Sequence, residues 1–567
     1  MIIILIQNIV QADFPFMSAS MSQQAVTRRS LRISLPHPLL LISLLAAALV
    51  GVPVLGVLAN LAGSEAGAGT FMHLWSTVLP EYLGNSLAIV VIVGWLTATI
   101  GIGCAWLVAA FEFPGKRLFE WALVLPLAMP SYVVAYAYTD FLQFSGPLQT
   151  WLRELTGWQA REYWFPEIRS VGGAALVFAL VLYPYVYLLV RTAFLERSPR
   201  MWDAARTLGA GPWASFFQIS LPLARPGAVA GLALVLMETL ADYGAVAYFG
   251  VPTLTTGIYK SWYAFSDRTG AAQIAAVLLV SIIGLMVVEQ RSRGRARYYA
   301  VGSRGGRHAQ RLPAGRGLLA TACCTLPVLL GFVLPLLILV RLMRQEESLT
   351  VGSRYLGWLA NSVTVAGVTA LLAVVICLLL AYAARVSRSR LQAWANRVVS
   401  MGYAIPGAVI AVGILIPLSQ LDNWLSAQGM KVLLAGSLVA LVYAYLVRFL
   451  AVSYQSVQAG LARITPAMDA SARSLGHGLG SMLLRVHMPL LWRSVMTAGL
   501  LVFVDVIKEL PATLTIRPFN FDTLAVITFQ LASDERLAEA ALPALTIVLI
   551  AFVPVLALAR AIAKHGR

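Results

Sequence analysis

The chain carries the stretch Pro199-Arg200-Met201-Trp202-Asp203-Ala204-Ala205-Arg206-Thr207-Leu208-Gly209, with Pro222 thirteen residues after the glycine. A second copy lies 267 residues later: Pro466-Ala467-Met468-Asp469-Ala470-Ser471-Ala472-Arg473-Ser474-Leu475-Gly476, with Pro489 at the same spacing. Both copies are polar and lie between long apolar runs. Glycine permits a tight reversal of the backbone, and proline disfavours the interior of a helix. Each copy is therefore predicted to form a helix, a sharp turn and a second helix, in a loop outside a membrane.

The composition is that of a protein with many membrane spans. Of its 567 residues, 59% are hydrophobic and 12% are charged. A span needs about 20 apolar residues to cross the hydrocarbon core. Twelve stretches are long enough: 37–60, 85–111, 121–143, 172–192, 226–249, 272–288, 317–340, 361–384, 398–419, 432–455, 494–514 and 541–559. We predict an all-α polytopic membrane protein of about 12 transmembrane helices, arranged as two parallel six-helix repeats.

The net charge of +17 reports topology rather than binding to nucleic acid. With the N-terminus inside, the inner segments hold 29 Lys and Arg residues and the outer loops hold 11. Basic residues favour the cytoplasmic side. Both termini and both copies of the repeated stretch are therefore expected in the cytoplasm.

The spans divide the chain into four parts. These are a cytoplasmic N-terminal tail (1–36), a first six-span domain (37–288), a basic cytoplasmic linker (289–316) and a second six-span domain (317–567). The linker holds eight Arg residues and is expected to be flexible and solvated. The domains match beyond the repeated stretch, because Asn85-Ser86 and Pro130 correspond to Asn361-Ser362 and Pro406 at an offset of 276.

Charged residues inside the spans also occur in pairs. Glu238 and Asp242 are four residues apart in the fifth span and share one helix face. Adding 267 gives Asp505 and Glu509 in the eleventh span, beside Lys508. A charge at the bilayer centre costs at least about 2.5 kcal/mol, so it faces protein or a water path. Two interpretations remain open: these groups line a central pathway, or they form structural ion pairs, for instance between Lys508 and a carboxylate of the other half.

The two polar copies resemble the EAA loops of ABC importer permeases, which dock into a groove on the ATPase subunit. In the first copy Asp203 takes the acidic position six residues before the glycine. In the second copy that position is Ala470, and Asp469 comes one residue early, so the two docking sites are expected to differ. The apolar residues expected to fill the groove are Trp213, Phe216 and Phe217, and Met482 and Leu483. The resemblance implies these coupling residues: Asp203, Ala204, Ala205, Gly209, Pro222, Asp469, Ala470, Ser471, Ala472, Gly476 and Pro489.

Two further strings resemble the fused membrane subunit of ferric-iron ABC importers. They are Glu238-Thr-Leu-Ala-Asp-Tyr-Gly244 with the segment 248–259, and Lys508-Glu-Leu-Pro-Ala-Thr-Leu514 with the segment 517–525. The resemblance implies a permease of the bacterial inner membrane that works with a periplasmic solute-binding protein. It also implies two copies of a cytoplasmic ATPase, which bind the ATP-Mg. For this chain we expect no cofactor, no resident metal site and no catalytic residue, because no phosphate-binding loop and no cluster of histidines is visible in the sequence.

Two alternatives are kept. The chain is similar enough to related permeases that its solute could instead be thiamine, a polyamine or a phosphonate. A different class of protein, a proton-coupled secondary transporter, would use Glu238, Asp242, Asp505 and Glu509 to carry protons. An ATPase subunit that co-purifies with the chain would exclude the secondary transporter.

Overall fold

The computed structural model describes residues 38–62, 65–159, 162–195, 207, 209, 211–293, 310–345, 352–387, 389–430 and 432–565. The apolar runs in these ranges form helices, because a helix satisfies all of its backbone hydrogen bonds internally and so tolerates a lipid environment. The predicted all-α polytopic class is confirmed.

The first half contains short helices between the long ones. Its elements are α1 (Pro38–Ala62), α2 (Glu65–Thr77), α3 (Leu79–Ala110), β1 (Phe111–Glu112), α4 (Lys116–Ala122), a 3-10 turn (Leu125–Ala128), α5 (Ser131–Leu142), α6 (Pro147–Thr156), α7 (Val171–Leu195), a short turn (Pro212–Ala214) with a π-turn (Ser215–Ser220), α8 (Leu221–Ala241), α9 (Gly244–Tyr248), α10 (Leu254–Tyr259) with a π-turn (Lys260–Ala264), and α11 (Arg268–Arg293).

The second half repeats much of this order, although its strand precedes its first helix and it has no counterpart of α6. Its elements are β2 (Gln310–Arg311), α12 (Ala314–Val328), a π-turn (Leu329–Val333), α13 (Leu334–Gln345), α14 (Ser353–Val386), α15 (Arg390–Met401), a 3-10 turn (Gly402–Ala404), α16 (Gly407–Ala427), α17 (Leu438–Leu461), α18 (Pro466–Ser474), α19 (Leu479–Met482), a π-turn (Leu483–His487), α20 (Met488–Ile507), α21 (Pro511–Ile516), α22 (Leu524–Ser533) and α23 (Leu537–His565).

Within the described residues, eleven helices are long and apolar enough to cross a membrane, or twelve if one bent pair is a single span. The twelve predicted spans overlap them, but the third is not a straight helix. Lys116–Ala128 and Ser131–Thr156 meet at 91°. Pro130 is the residue directly before α5, and the matched Pro406 is the residue directly before α16. The ninth predicted span is therefore broken as well. Proline cannot continue a helix without losing a hydrogen bond, which explains both breaks.

A π-turn precedes each of the two repeated prolines. Ser215–Ser220 leads into α8 with Pro222 in its first turn, and Leu483–His487 leads into α20 with Pro489 in its first turn. A π-turn has a wider hydrogen-bonding ring than an α-helix. It therefore accommodates a residue that has no N–H, and the helix remains continuous up to the proline. The predicted position of both prolines at the start of a span is confirmed.

The first helix of each half packs against the other half. The Tyr443 hydroxyl of α17 donates to the Leu49 carbonyl of α1 over 2.9 Å. In the reverse direction, the Tyr138 hydroxyl of α5 donates to the Leu330 carbonyl, at the π-turn that joins α12 to α13, over 2.5 Å. Gly413 of α16 lies so close to Pro53 of α1 that a Cβ would meet the Pro53 carbonyl oxygen at 2.3 Å. The two halves therefore exchange their first helices.

The predicted flexible linker is ordered at both of its ends. Helix α11 includes its first residues, up to Arg293, and β2 pairs in parallel with β1, so that Gln310 lies opposite Phe111. The Leu312 amide donates to the Glu112 carbonyl over 3.1 Å. The prediction of a flexible connector is wrong for these ends, because backbone hydrogen bonds hold them, although Arg291, Arg311 and Arg316 are exposed to solvent as expected. Residues 294–309 lie outside the described part of the chain.

Candidate functional site

The matched acids Asp242 and Glu509 each follow the last turn of a long helix. Helix α8 ends at Ala241, and the Ala245 amide at the start of α9 donates to Asp242 Oδ1 over 2.9 Å. Helix α20 ends at Ile507, and the Ala512 amide at the start of α21 donates to Glu509 Oε1 over 2.9 Å. The first amides of a helix have no partner inside it and carry partial positive charge, so a carboxylate stabilises them. Both acids therefore fix a break in a span.

Glu509 is the more tightly held of the two. Besides the Ala512 amide, it accepts the Thr513 amide over 3.0 Å and the Thr513 hydroxyl over 2.6 Å. Its side chain is only 2% exposed. Asp242 accepts the Ser131 hydroxyl of α5 in addition to its own capping bond. A buried carboxylate requires such donors, because an unsatisfied one is costly.

An arginine connects the two halves at this level. Arg448 of α17 places Nη2 3.5 Å from Glu238 Oε2, which belongs to the first half, and Nη1 3.5 Å from Glu509 Oε1. Its side chain is 11% exposed and its guanidinium lies 5.6 Å from the centre of the Phe449 ring. The sequence interpretation gave Arg448 no role. The available signal was an Arg in the middle of an otherwise apolar span.

Lys508 pairs within its own half. Its Nζ lies 2.9 Å from Asp505 Oδ1, three residues earlier at the end of the same helix. The suggested pair between Lys508 and a carboxylate of the other half is therefore wrong, because that role falls to Arg448. The structural interpretation holds for the pair that Lys508 does form.

A cavity of about 130 Å³ lies where these helices meet. It has room for several water molecules. All five predicted pathway residues, Glu238, Asp242, Asp505, Lys508 and Glu509, line it together with Arg448. Tyr132, Tyr185 and Tyr403 add aromatic walls. The cavity thus contains four carboxylates and two basic groups, contributed by both halves.

The matched Asn-Ser pairs hold the next short helices in place. The Asn85 side chain donates to the Pro252 carbonyl over 2.9 Å, and the Ser86 hydroxyl accepts the Leu254 amide over 3.1 Å. In the second half, Asn361 donates to the Asp522 carbonyl over 3.0 Å, and Ser362 accepts the Leu524 amide over 2.8 Å. Equivalent Asn and Ser side chains therefore bind an equivalent backbone carbonyl and backbone amide at the starts of α10 and α22. Helix α10 reaches the cavity region, where the Tyr259 hydroxyl donates to the Pro511 carbonyl.

The repeated loops show the predicted sharp turns. Gly209 has φ +82° and Gly476 has φ +83°, a region that residues with a Cβ rarely adopt. Asp203, Ala204 and Ala205 lie outside the described residues. In the second loop Ala470 and Ser471 are exposed, whereas Ala472 is buried against the bundle. Pro222 and Pro489 are exposed.

Asp469 points into the protein. Its carboxylate accepts hydrogen bonds from Arg385 Nε over 2.7 Å and from His487 Nε2 over 2.9 Å, and the residue is 6% exposed. Arg385 also donates to the Leu461 and Ile464 carbonyls over 2.9 and 2.8 Å. Burial raises the pKa of Asp469, but the hydrogen bonds from Arg385 and His487 outweigh it and bring the pKa below its ordinary value. The acid that comes one residue early thus clamps α18 to the end of α14.

The apolar residues expected on the outside of the loops divide into two groups. Phe216, Met482 and Leu483 are buried in the chain itself, so the expectation that they fill a partner's groove is wrong. Phe216 and Leu483 lie in the two π-turns, and Met482 directly precedes the second, so a regular helix periodicity does not reveal which way they face. Trp213 and Phe217 are exposed as expected. Leu475 and Leu484 are exposed too, at 78% and 67%, and the sequence interpretation missed them.

Comparison with known proteins identifies the family. The model of the family described as binding-protein-dependent transport system inner membrane component matches residues 98–291. The Fe(3+)-transport system permease protein FbpB 2 of Haemophilus influenzae is 26% identical over 483 residues, which are 84% of this chain and 89% of that protein. The molybdenum transport system permease protein ModB of Escherichia coli is 32% identical over 216 residues, which are 38% of this chain and 89% of ModB. The chain belongs to this family of binding-protein-dependent permeases.

A solved structure is also similar to part of this permease. The crystal structure of a bacterial ABC transporter involved in the import of alginate shares 18% identity, with a TM-score of 0.35. The match covers 44% of this chain and 95% of that one. The helix breaks, the capping contacts and the cavity described above are all observed in the residues of this permease itself.

Proposed function

We propose that this permease translocates ferric iron that a periplasmic solute-binding protein delivers, and that a separate ATPase drives the transport. The observation that carries the proposal is the cavity between the halves, which holds four carboxylates against two basic groups. Ferric iron is a hard, highly charged cation that prefers oxygen ligands. The excess of carboxylates favours a cation over an anion at this position. The length of the match to FbpB 2, a ferric-iron permease by name, supports the same cargo.

An oxyanion is the second candidate cargo. ModB is a molybdenum permease by name, and the sulfate permease CysT of Escherichia coli is 28% identical over 192 residues. Arg448 and Lys508 would suit an anion, but each already pairs with a carboxylate. Thiamine, polyamines and phosphonates remain further candidates.

Two copies of the ATPase are proposed to dock on the repeated loops in the cytoplasm and to bind ATP-Mg. The exposed residues Trp213, Phe217, Leu475 and Leu484 supply the apolar contacts. Ala470 and Ser471 lie on the accessible side of α18, whereas Asp469 acts inside the chain. The unequal docking predicted from the sequence gains support, because the acid of the second loop is used internally.

We place the chain in the bacterial inner membrane with both termini in the cytoplasm. The distribution of Lys and Arg supports this orientation. Single cysteines at Leu475, 78% exposed, and at Trp164, 86% exposed, test it in a background without the natural cysteines. A membrane-impermeant maleimide should label position 164 from the periplasm, and position 475 only after the membrane is opened. The reverse pattern would contradict the docking proposal as well.

The decisive experiment is ATP-dependent uptake into proteoliposomes that contain the chain and its ATPase. The binding protein is supplied outside with ferric iron, molybdate, sulfate, thiamine, a polyamine or a phosphonate. Uptake of ferric iron alone, lost without ATP, is expected. Glu238→Gln should lower it, whereas Glu112→Gln, which alters an exposed pair with Lys116, should not. Uptake driven by a proton gradient without ATP would instead support the secondary transporter, in which Glu238, Asp242, Asp505 and Glu509 carry protons.

A further inference from the structure

Arg448 occupies the position that a cationic cargo would need. We propose that its guanidinium is a tethered substitute for the cargo: it fills an oxygen-lined cation site formed by Glu238 and Glu509, and a hard multivalent cation takes its place during transport. The inference rests on the proposed function for the kind of cargo. It goes further by naming the site and the group that closes it.

The geometry of Arg448 is that of a shared cation rather than of a permanent ion pair. A fixed Arg–carboxylate pair commonly forms two short parallel hydrogen bonds of about 2.7–2.9 Å. Here one terminal nitrogen is directed to each carboxylate, and both N···O distances are 3.5 Å. Arg385 in the cytoplasmic clamp shows the contrasting case, because two of its nitrogens contact Asp469 at 2.7 and 3.2 Å.

Several polar atoms at this site lack a partner. Among the described residues, Arg448 Nε, Asp505 Oδ2 and the Tyr132 hydroxyl are buried without a hydrogen bond. Tyr132 is only 4% exposed and lines the cavity beside the carboxylates. Buried polar groups usually have partners, so unpartnered ones at a cavity point to a ligand that other states of the protein bind. Carboxylate and phenolic oxygens are suitable ligands for a hard cation.

The position of Arg448 also connects the site to the movement of the halves. Arg448 and Glu509 belong to the second half, whereas Glu238 belongs to the first. Separating the halves therefore breaks the Glu238 contact before the Glu509 contact. In the state described here, no three acidic, His or Cys side chains among the described residues are grouped to hold a metal ion. The site becomes a cation site only when the guanidinium leaves.

Binding of Tb³⁺ to the full-length chain in detergent tests this inference without transport. Tb³⁺ is a hard trivalent ion whose emission is sensitised by nearby aromatic rings, and Tyr132, Tyr185 and Tyr403 line the cavity. The wild-type chain should give weak sensitised emission. Arg448→Gln should raise the apparent affinity for Tb³⁺ at least tenfold, and Ga³⁺ should compete. Adding Glu238→Gln and Glu509→Gln to Arg448→Gln should remove the gain.

The matched control is Arg341→Gln. Arg341 of the second half also pairs with an acid of the first half, Asp140 at 3.6 Å, but neither residue lines the cavity. An equal gain in Arg341→Gln, or none in Arg448→Gln, would refute the proposal. If Arg448→Gln does not accumulate, Arg448→Lys replaces it. Lys lacks the two separate terminal nitrogens with which Arg448 contacts one carboxylate each, so a smaller gain over wild type is still required.

The two proposals fail separately. Ferric-iron uptake by the wild-type chain without a gain in Arg448→Gln would overturn the role of Arg448 and leave the cargo intact. A gain in Arg448→Gln without ferric-iron uptake would overturn the cargo and leave a cation site that Arg448 closes.

Discussion

The matched acids of the two halves differ in what neutralises them. In the second half Asp505 has Lys508 beside it, and Glu509 has four hydrogen-bond donors in its own half, including the guanidinium of Arg448. In the first half Asp242 has a hydroxyl and a backbone amide, and Glu238 depends on Arg448 of the second half. Both basic groups of the cavity therefore come from one half. A repeat that is symmetric in its carboxylates is therefore asymmetric in its basic groups.

The largest expected effect concerns the two turn glycines. Gly209→Val and Gly476→Val should each abolish transport while the protein remains in the membrane, because a β-branched residue is strongly disfavoured at φ +82° or +83°. Nothing lies within 4 Å of a Cβ added at either position, so backbone strain alone acts. The acid differs between the loops, so unequal uptake is expected when the milder Gly→Ala variants are compared.

Asparagine is the matched control for both glycines. It tolerates the left-handed region, so Gly209→Asn and Gly476→Asn should retain most of the uptake. Normal transport by both valine variants would show that the loops are not the coupling elements.

The next effect separates the two capping acids. Glu509→Gln should lower the free energy of unfolding by about 2–3 kcal/mol, because it weakens several charge-assisted hydrogen bonds. Asp242→Asn, with fewer donors, should cost about 1–2 kcal/mol. Thermal unfolding of the purified chain measures both. A larger loss for Asp242→Asn would reverse the comparison.

Lys508 provides a third, smaller test. Lys508→Met leaves Asp505 without its ammonium partner and should destabilise the chain by about 1–2 kcal/mol, less than the 3–5 kcal/mol of a fully buried pair, since Lys508 is 31% exposed. Asp505→Asn should restore stability in the double variant. Asp242→Asn and Glu509→Gln should not restore it. Rescue by either of them would mean that Lys508 neutralises a different acid from the one it contacts.

The smallest effect lies in the clamp that Asp469 forms in the second loop. The folded-state pKa of Asp469 is below its ordinary value, so the clamp's stabilisation is complete above the ordinary Asp pKa of about 3.9. This stabilisation is lost as the pH falls through the lower pKa that Asp469 has in the folded state. The protection of the amides of residues 466–474, that is, their exchange rate relative to the intrinsic rate at the same pH, should therefore fall at acid pH. Asp469→Asn should remove this dependence and lower uptake about two- to threefold at neutral pH, because Asn keeps the shape of the side chain but not the charge that attracts Arg385 and His487.

A protected segment 466–474 in the Asp469→Asn variant at every pH would contradict the clamp. The pair of Lys116 with Glu112, which is exposed and lies on another element, offers the matched comparison. Lys116→Gln should leave the exchange of this segment unchanged.

The sequence was sufficient for features that depend on spacing alone. It predicted the all-α polytopic class, the sharp turns at the two glycines and the carboxylates that meet at one cavity, because residues at repeated offsets take equivalent positions in equivalent folds. It did not predict the 91° break near Pro130 or the inward rotation of Met482 and Leu483. Both depend on local 3-10 and π geometry, which departs from the 3.6-residue period.

The partners of Arg448 and Asp469 could not be read from spacing either. Arg448 contacts Glu238 across the boundary between halves, and Asp469 contacts Arg385, which lies 84 residues away in the chain. Such contacts depend on how helices face one another after packing. One sign of such a contact was visible in the sequence, a single Arg inside an apolar span, because a buried Arg needs a carboxylate partner.

The exchanged first helices have a consequence for how the protein is made. Gly407, where α16 begins, lies 345 positions after Ala62, the last residue of α1. At about 5–20 residues per second, the ribosome needs roughly 20 to 70 s to make the partner that α1 packs against. During that time the face of α1 around Pro53 is exposed to lipid or to the insertion machinery. Changes on that face therefore act first on biogenesis, before any ATP is hydrolysed.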